Sequence, residues 1–159
     1  MKIQRVSIPG SEPQARPQER WVSDADPSSV ITATIMLRRH SSNAEEMLSG
    51  HYHPASREEA EKAIAANPQD LAAVRRFAGD HGMKIVEEDP ASRRVSVEAT
   101  AKQMEDAFGV RIGTVEDAAG SRCLTYKGGI SMPSELSGVV VAVLGLDQRP
   151  AARHAEWSQ

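Results

Sequence analysis

The strongest constraint on this chain is the alternation of β-branched runs with capped helical segments between Val30 and Val115. In VITATIMLR, Val30–Arg38, Ile31, Ala33, Ile35 and Leu37 share one face, and Thr32, Thr34 and Met36 share the other. That period of two is a strand with one apolar face and one half-polar face. Asn67-Pro68-Gln69-Asp70 opens a helix: an Asn cap, Pro in the first turn and an acid near the positive end. Leu71, Val74, Phe77 and Ala78 form its buried stripe, and Gly82 ends it. Met83–Glu88 and Arg93–Glu98 read as strands joined by Asp89-Pro90-Ala91-Ser92, which makes a β-hairpin. Thr100 and Gln103 have capping-box spacing, and the helix they open buries Met104, Ala107 and Phe108 before stopping at Gly109. Val110–Val115 is the next strand. The order strand, helix, strand, strand, helix, strand predicts an α+β fold of the ferredoxin-like split βαβ kind. Right-handed crossovers put the helices on one face of an antiparallel sheet and leave the other face for a partner.

The flanks divide the chain into three parts. Residues 1–29 are predicted to be a flexible Pro-rich arm, with Trp21 and Val22 able to hold it to the body. Residues 30–146 form the core, and residues 147–159 a C-terminal linker. Within the core, residues 39–55 are a long connection, and a capping box at Ser56 and Glu59 predicts a short helix to about Ala65. Cys123–Lys127 is a short strand broken by Gly128-Gly129. An extra C-terminal helix is predicted over Pro133–Leu144, because Leu136, Val139, Val140, Val143 and Leu144 recur at helical spacing. Gly145 suits the left-handed position after it. Asp147, Gln148, Arg149 and Pro150 can neither continue that helix nor form a core, so they read as a loose polar tail presented to something.

Composition excludes several functions. At 159 residues with a formal net charge of −3, the chain suits one domain and has no basic field for nucleic acid or acidic lipid. No apolar run approaches the ~20 residues that span a bilayer, and MKIQRVSIPG lacks the apolar centre of a signal peptide. Cys123 is the only cysteine, so neither an internal disulfide nor a Cys-based zinc site is available. His51 and His53 flank Tyr52 in a loop without a third ligand nearby, and read as solvated histidines. Cys123 with His81 or His154 makes a nucleophile and base on paper only, since a lone strand cysteine is usually a small buried hydrophobe. Glu87 and Glu88 alternate faces and, with Asp89, read as a solvated hairpin end. No catalytic, cofactor or metal constellation emerges, and the isolated chain is expected to be a monomer without enzyme activity.

From about Ile31 to Arg153 the chain resembles the activation domain, or propeptide, of the sedolisin family, the kumamolisin-like serine-carboxyl peptidases. The residues carrying the resemblance come in order. Arg57-Glu58-Glu59 with Asn67–Val74 and Phe77 resembles the start of the family's first main helix, and His81–Val86 its passage into a strand. Arg93–Val97, Ala101, Met104 and Ala107–Val110 resemble its centre. Tyr126, Met132-Pro133, Leu136–Val140, Val143–Asp147 and Arg149-Pro150 resemble its exit. The resemblance implies a propeptide that acts as intramolecular chaperone and inhibitor of its own sedolisin-type peptidase, is secreted within the zymogen, and is released by cleavage at acidic pH. Its partner would be the cognate peptidase domain. The segment crossing the peptidase's cleft would comprise Asp147, Gln148, Arg149, Pro150, Arg153 and His154. Asp147 or Glu87 would lose a pairing on protonation. The family's catalytic serine lies in Gly-Thr-Ser, whereas this chain has Gly113-Thr114-Val115. Neither the N-terminal arm nor Ala155–Gln159 takes part in the resemblance. The competing reading of the same fold is a free-standing ferredoxin-like regulatory or ligand-binding module.

Overall fold

The computed structural model describes residues 4–39 and 65–150. The capping box at Ser56, the helix it opens and the His51/His53 pair lie outside the described residues. In chain order the elements are β1 (Arg5–Ser7), β2 (Arg20–Asp24), β3 (Val30–Leu37), α1 (Pro68–Asp80), β4 (Lys84–Asp89) and β5 (Arg94–Thr100). They continue with α2 (Ala101–Phe108), β6 (Arg111–Glu116), β7 (Arg122–Lys127), β8 (Ser131–Pro133), a 3-10 turn (Ser134–Leu136) and β9 (Val140–Leu144).

The alternation in β3 sets the main sheet. Ile31, Ala33, Ile35 and Leu37 are buried, and Ile35 lies opposite Val95 on one side and Val143 on the other. The four strands run in the order β4-β5-β3-β9, every neighbouring pair antiparallel. Both helices begin as their caps require. The Asn67 side chain accepts from the Gln69 N–H at 2.8 Å. At α2, Thr100 Oγ1 accepts from the Gln103 N–H at 3.2 Å, and Gln103 Oε1 accepts from the Thr100 N–H at 2.8 Å. Reciprocal satisfaction of two end donors sharpens the strand-to-helix junction. Leu71, Val74 and Phe77 of α1 and Met104, Ala107 and Phe108 of α2 join the same cluster as the buried face of β3 and β5. The Phe77 and Phe108 rings meet at 5.7 Å, which is where the helices touch. Each Leu, Val, Met or Phe of this set contributes ~1.5–3 kcal/mol on burial, and Ala107 less. Asp70 is the buried acid of the first helical turn, held by Arg38 through a fork of 2.9 and 3.2 Å. The architecture is α+β, with antiparallel sheets and two helices, and is compatible with a ferredoxin-like arrangement.

Three expectations need correction. The predicted C-terminal helix over Pro133–Leu144 is instead one 3-10 turn followed by strand β9. Gly138 sits between them at φ +79°, a left-handed conformation that interrupts any helix there. Four of residues 139–143 are valines, whose branched side chains favour a pleated surface. A short apolar run fits both periods, and here the free edge of β3 decided between them.

The second correction concerns Val110–Val115. It was expected as the fourth strand of the main sheet, but β9 occupies that place. Strand β6 instead forms the centre of a separate sheet in the order β2-β6-β7. The third is the arm. Residues expected to be flexible supply β1, paired with β8, and β2, paired with β6. An arm without an apolar period can still satisfy its backbone by joining strand edges, because main-chain hydrogen bonding needs no side-chain pattern.

Candidate functional site

The candidate site is the place where the chain leaves β9. Gly145 turns it at φ +102°, and a Cβ there would lie 2.7 Å from the Thr32 carbonyl oxygen. Glycine is therefore what lets the chain cross β3 so closely. Leu146 then drops into the core with no exposed surface. Beyond it, the Gln148 N–H donates to the Leu124 carbonyl at 2.8 Å, on strand β7.

Arg149 completes the attachment. Its Nε and Nη2 each donate to Asp147 at 2.9 Å, on Oδ1 and Oδ2 respectively. Its Nη1 donates to Glu19 Oε1 at 2.8 Å and to the Gln14 carbonyl at 2.9 Å. Asp147 Oδ1 also accepts from the Thr125 hydroxyl at 3.1 Å and from the Arg149 N–H at 3.2 Å. The Arg149 side chain is only 5% exposed, against 12% for Glu19 and 32% for Asp147. On the next residue, Arg16 Nη1 donates to the Pro150 carbonyl at 2.8 Å.

Burial pushes the Asp147 carboxyl up, but hydrogen bonds from the Arg149 side chain and N–H, the Arg149 charge and the Thr125 hydroxyl outweigh it. The net result is a carboxyl below its ordinary value, ionised throughout the neutral range. Arg149 is pushed the opposite way, first by its bonds to Asp147 and then by Glu19, so it stays a cation. A guanidinium fits this role because its planar fork matches one carboxylate bidentately and still has donors for a second.

The arm that supplies Glu19, Gln14 and Arg16 is fixed on either side of them. Upstream, the Tyr126 hydroxyl donates to the Ser11 carbonyl, and Ser11 Oγ accepts from the Ile130 N–H at 2.8 Å. Downstream, the Trp21 indole lies over Gly113, where a Cβ would come within 2.1 Å of its ring. Lys127 and Arg111 stand over the same ring at 4.3 and 5.4 Å from its centroid. Residues of the arm between Glu12 and Glu19 line two clefts, of about 420 and 230 Å³, and Arg149 lines both.

Asp147, Gln148, Arg149 and Pro150 are thus not a free tail, since they are bonded to β7 and to the arm. Arg153 and His154 lie outside the described residues. Cys123 is half-buried and lines the smaller cleft, while His81 caps α1 and packs its ring 4.7 Å from Phe77. Glu88 reaches Arg75 of α1 at 2.8 Å, and Glu87 lines a small hollow with Thr34 and Ser96, so these acids diverge as strand alternation requires. No group of three potential metal ligands occurs among the described residues. No described helix is long and apolar enough to cross a membrane. Sequence reasoning missed Gln14, Arg16 and Glu19, because no local pattern couples residue 19 to residue 149.

A second exposed surface lies on the main sheet. On the main sheet's second face, Leu144 lies opposite Thr34 and Ala142 opposite Met36, with Ser96 beyond Thr34. Leu144 is 54% exposed. No described helix covers this face, since both bury their apolar stripes on the other.

The family model for the pro-kumamolisin activation domain matches residues 17–149. Among curated proteins, kumamolisin from Bacillus sp. (strain MN-32) is 29% identical over 131 residues, an alignment covering 77% of this chain and 24% of kumamolisin. The chain therefore spans about a quarter of the length of that relative. The family match runs from the arm beside Glu19 to Arg149, the two ends that the ion network joins. On that match the chain belongs to the pro-kumamolisin activation domain family.

Proposed function

We propose that this chain is the activation domain of a kumamolisin-like serine-carboxyl peptidase, aiding the folding of that peptidase and keeping it inactive within an extracellular zymogen. The observation that carries this reading is the family match, which ends at the anchored exit, Arg149. The chain itself is non-catalytic on this reading. The main sheet is taken as ferredoxin-like, with β3, β4, β5 and β9 as its four strands and α1 and α2 on one face. The second face, with Met36, Thr34 and the exposed Leu144, docks on the peptidase domain. Burying such a patch uses the hydrophobic effect, and binding only the folded peptidase stabilises that state by mass action. The residues after Pro150, including Arg153 and His154, then lie across the peptidase's cleft, while Asp147, Gln148 and Arg149 act as their anchor. Tethering through a docked body raises the effective concentration of that segment at the cleft. Acid weakens the arrangement when Asp147 is protonated and its fork to Arg149 is lost.

The test mixes the purified chain with the mature peptidase domain and measures turnover, comparing the full chain with one ending at Gly145. The full chain should inhibit, and the shortened one should inhibit far less. Absence of inhibition at any ratio, with no effect on peptidase refolding, would sink the proposal in favour of a free-standing module.

A further inference from the structure

We propose that residues 11–19 of the arm are a strap that sets where and in which direction the chain leaves the folded body, with Glu19 and Arg16 as positioning residues for Arg149 and Pro150. Its consequence for a peptidase rests on the reading above, but the strap itself is a property of this chain alone.

The contacts converge. Gln14, Arg16 and Glu19 each reach residue 149 or 150, across as many as 135 positions of sequence. Glu19 makes the charged contact to a guanidinium that is 5% exposed, the kind of bond that is strong because little water competes for it. The strap is tied at Ser11 by Tyr126 and Ile130, and at Trp21 by its seat on Gly113. Between the ties its residues line two clefts, and Glu19 is the side chain that packs on Arg149. Gln18, beside Glu19, holds φ +62°, a left-handed conformation that costs a non-glycine residue free energy. A segment bordered by clefts, strained at one residue and held by polar contacts, opens locally before a core of buried strands does. When it opens, Arg149 keeps only its Asp147 fork. The exit is then tied to the body only by the Gln148 bond to Leu124 and the Thr125 bond to Asp147, and these open more often once the arm no longer braces Arg149.

Amide hydrogen exchange on the full 159-residue chain tests this. Glu19→Gln should speed exchange of the Gln148 amide on the order of tenfold, as the loss of a charge-assisted bond implies, with β3 and β5 amides unchanged. Arg16→Ala, at the surface, should raise it about threefold and serves if Glu19→Gln does not fold. An unchanged Gln148 amide overturns the strap. So does an increase spread equally over β3 and β5, since that describes an ion pair serving global stability. The inhibition assay fails separately. A chain that exchanges as expected but restrains no peptidase keeps the strap and loses the function, and a chain that inhibits with an indifferent Gln148 amide does the reverse.

Discussion

Replacing Gly113 with alanine tests the attachment of the arm at its most sensitive point. A Cβ there would lie 2.1 Å from Cζ2 of Trp21 and 2.6 Å from the Ser23 carbonyl oxygen. Carbon atoms rest at about 3.5 Å or more, so the indole must move by about 1.4 Å. The Ser23 contact is backbone and cannot swing aside, so strand β2 has to shift as well. Overpacking of this kind costs about 1–3 kcal/mol. Moving the ring also disturbs the cations over it, Lys127 at 4.3 Å and Arg111 at 5.4 Å, which contribute about 0.5–1 kcal/mol each at an exposed site. At about 2–4 °C per kcal/mol for a chain of this size, a total of about 2–5 kcal/mol should lower the thermal midpoint by about 4–20 °C. The chain has two tryptophans, so the measurement is made in a Trp157→Phe background where Trp21 alone fluoresces. Its emission should shift to the red as the ring leaves Gly113. Native emission together with an unmoved midpoint would refute the claim that β2 is seated by that glycine.

Gly145→Ala places a Cβ 2.7 Å from the Thr32 oxygen at φ +102°, so a loss of at least ~2 kcal/mol is expected in urea unfolding, and a change below ~0.5 kcal/mol would show that the crossing tolerates a side chain. Phe108→Ala removes a fully buried ring where the helices meet; it should cost about 3–5 kcal/mol, checked by the same titration. The pH dependence follows from Asp147, whose carboxyl is held below its ordinary value. Its stabilisation is complete above the ordinary aspartate value of about 3.9 and is lost as pH falls through the lower folded value. Stability of the wild-type chain should therefore exceed that of Asp147→Asn at pH 6, with the gap closing below about pH 4; a gap equally wide at pH 2 and pH 6 would assign the effect to something other than this carboxyl.

Local signals in the sequence were sufficient for α1, α2 and the β4–β5 hairpin. Their caps, their apolar stripes and the turn at Asp89-Pro90 act over a few residues, so no distant partner is needed to read them. The face of β3 was legible for the same reason, since alternation alone sorts Ile31, Ala33, Ile35 and Leu37 from Thr32, Thr34 and Met36. The run of valines after Gly138 was different. Its spacing satisfied helix and strand alike, and only the vacant edge of β3 made it β9. The site divides in the same way. Asp147 and Arg149 could be picked out as polar residues past the last apolar element, but their attachment could not, because it depends on Glu19 and Gln14 arriving from the opposite end of the chain. Propensity and capping are short-range and written in the sequence. Which strand takes a free edge, and which carboxylate meets a buried guanidinium, depends on long-range packing that only the tertiary structure decides.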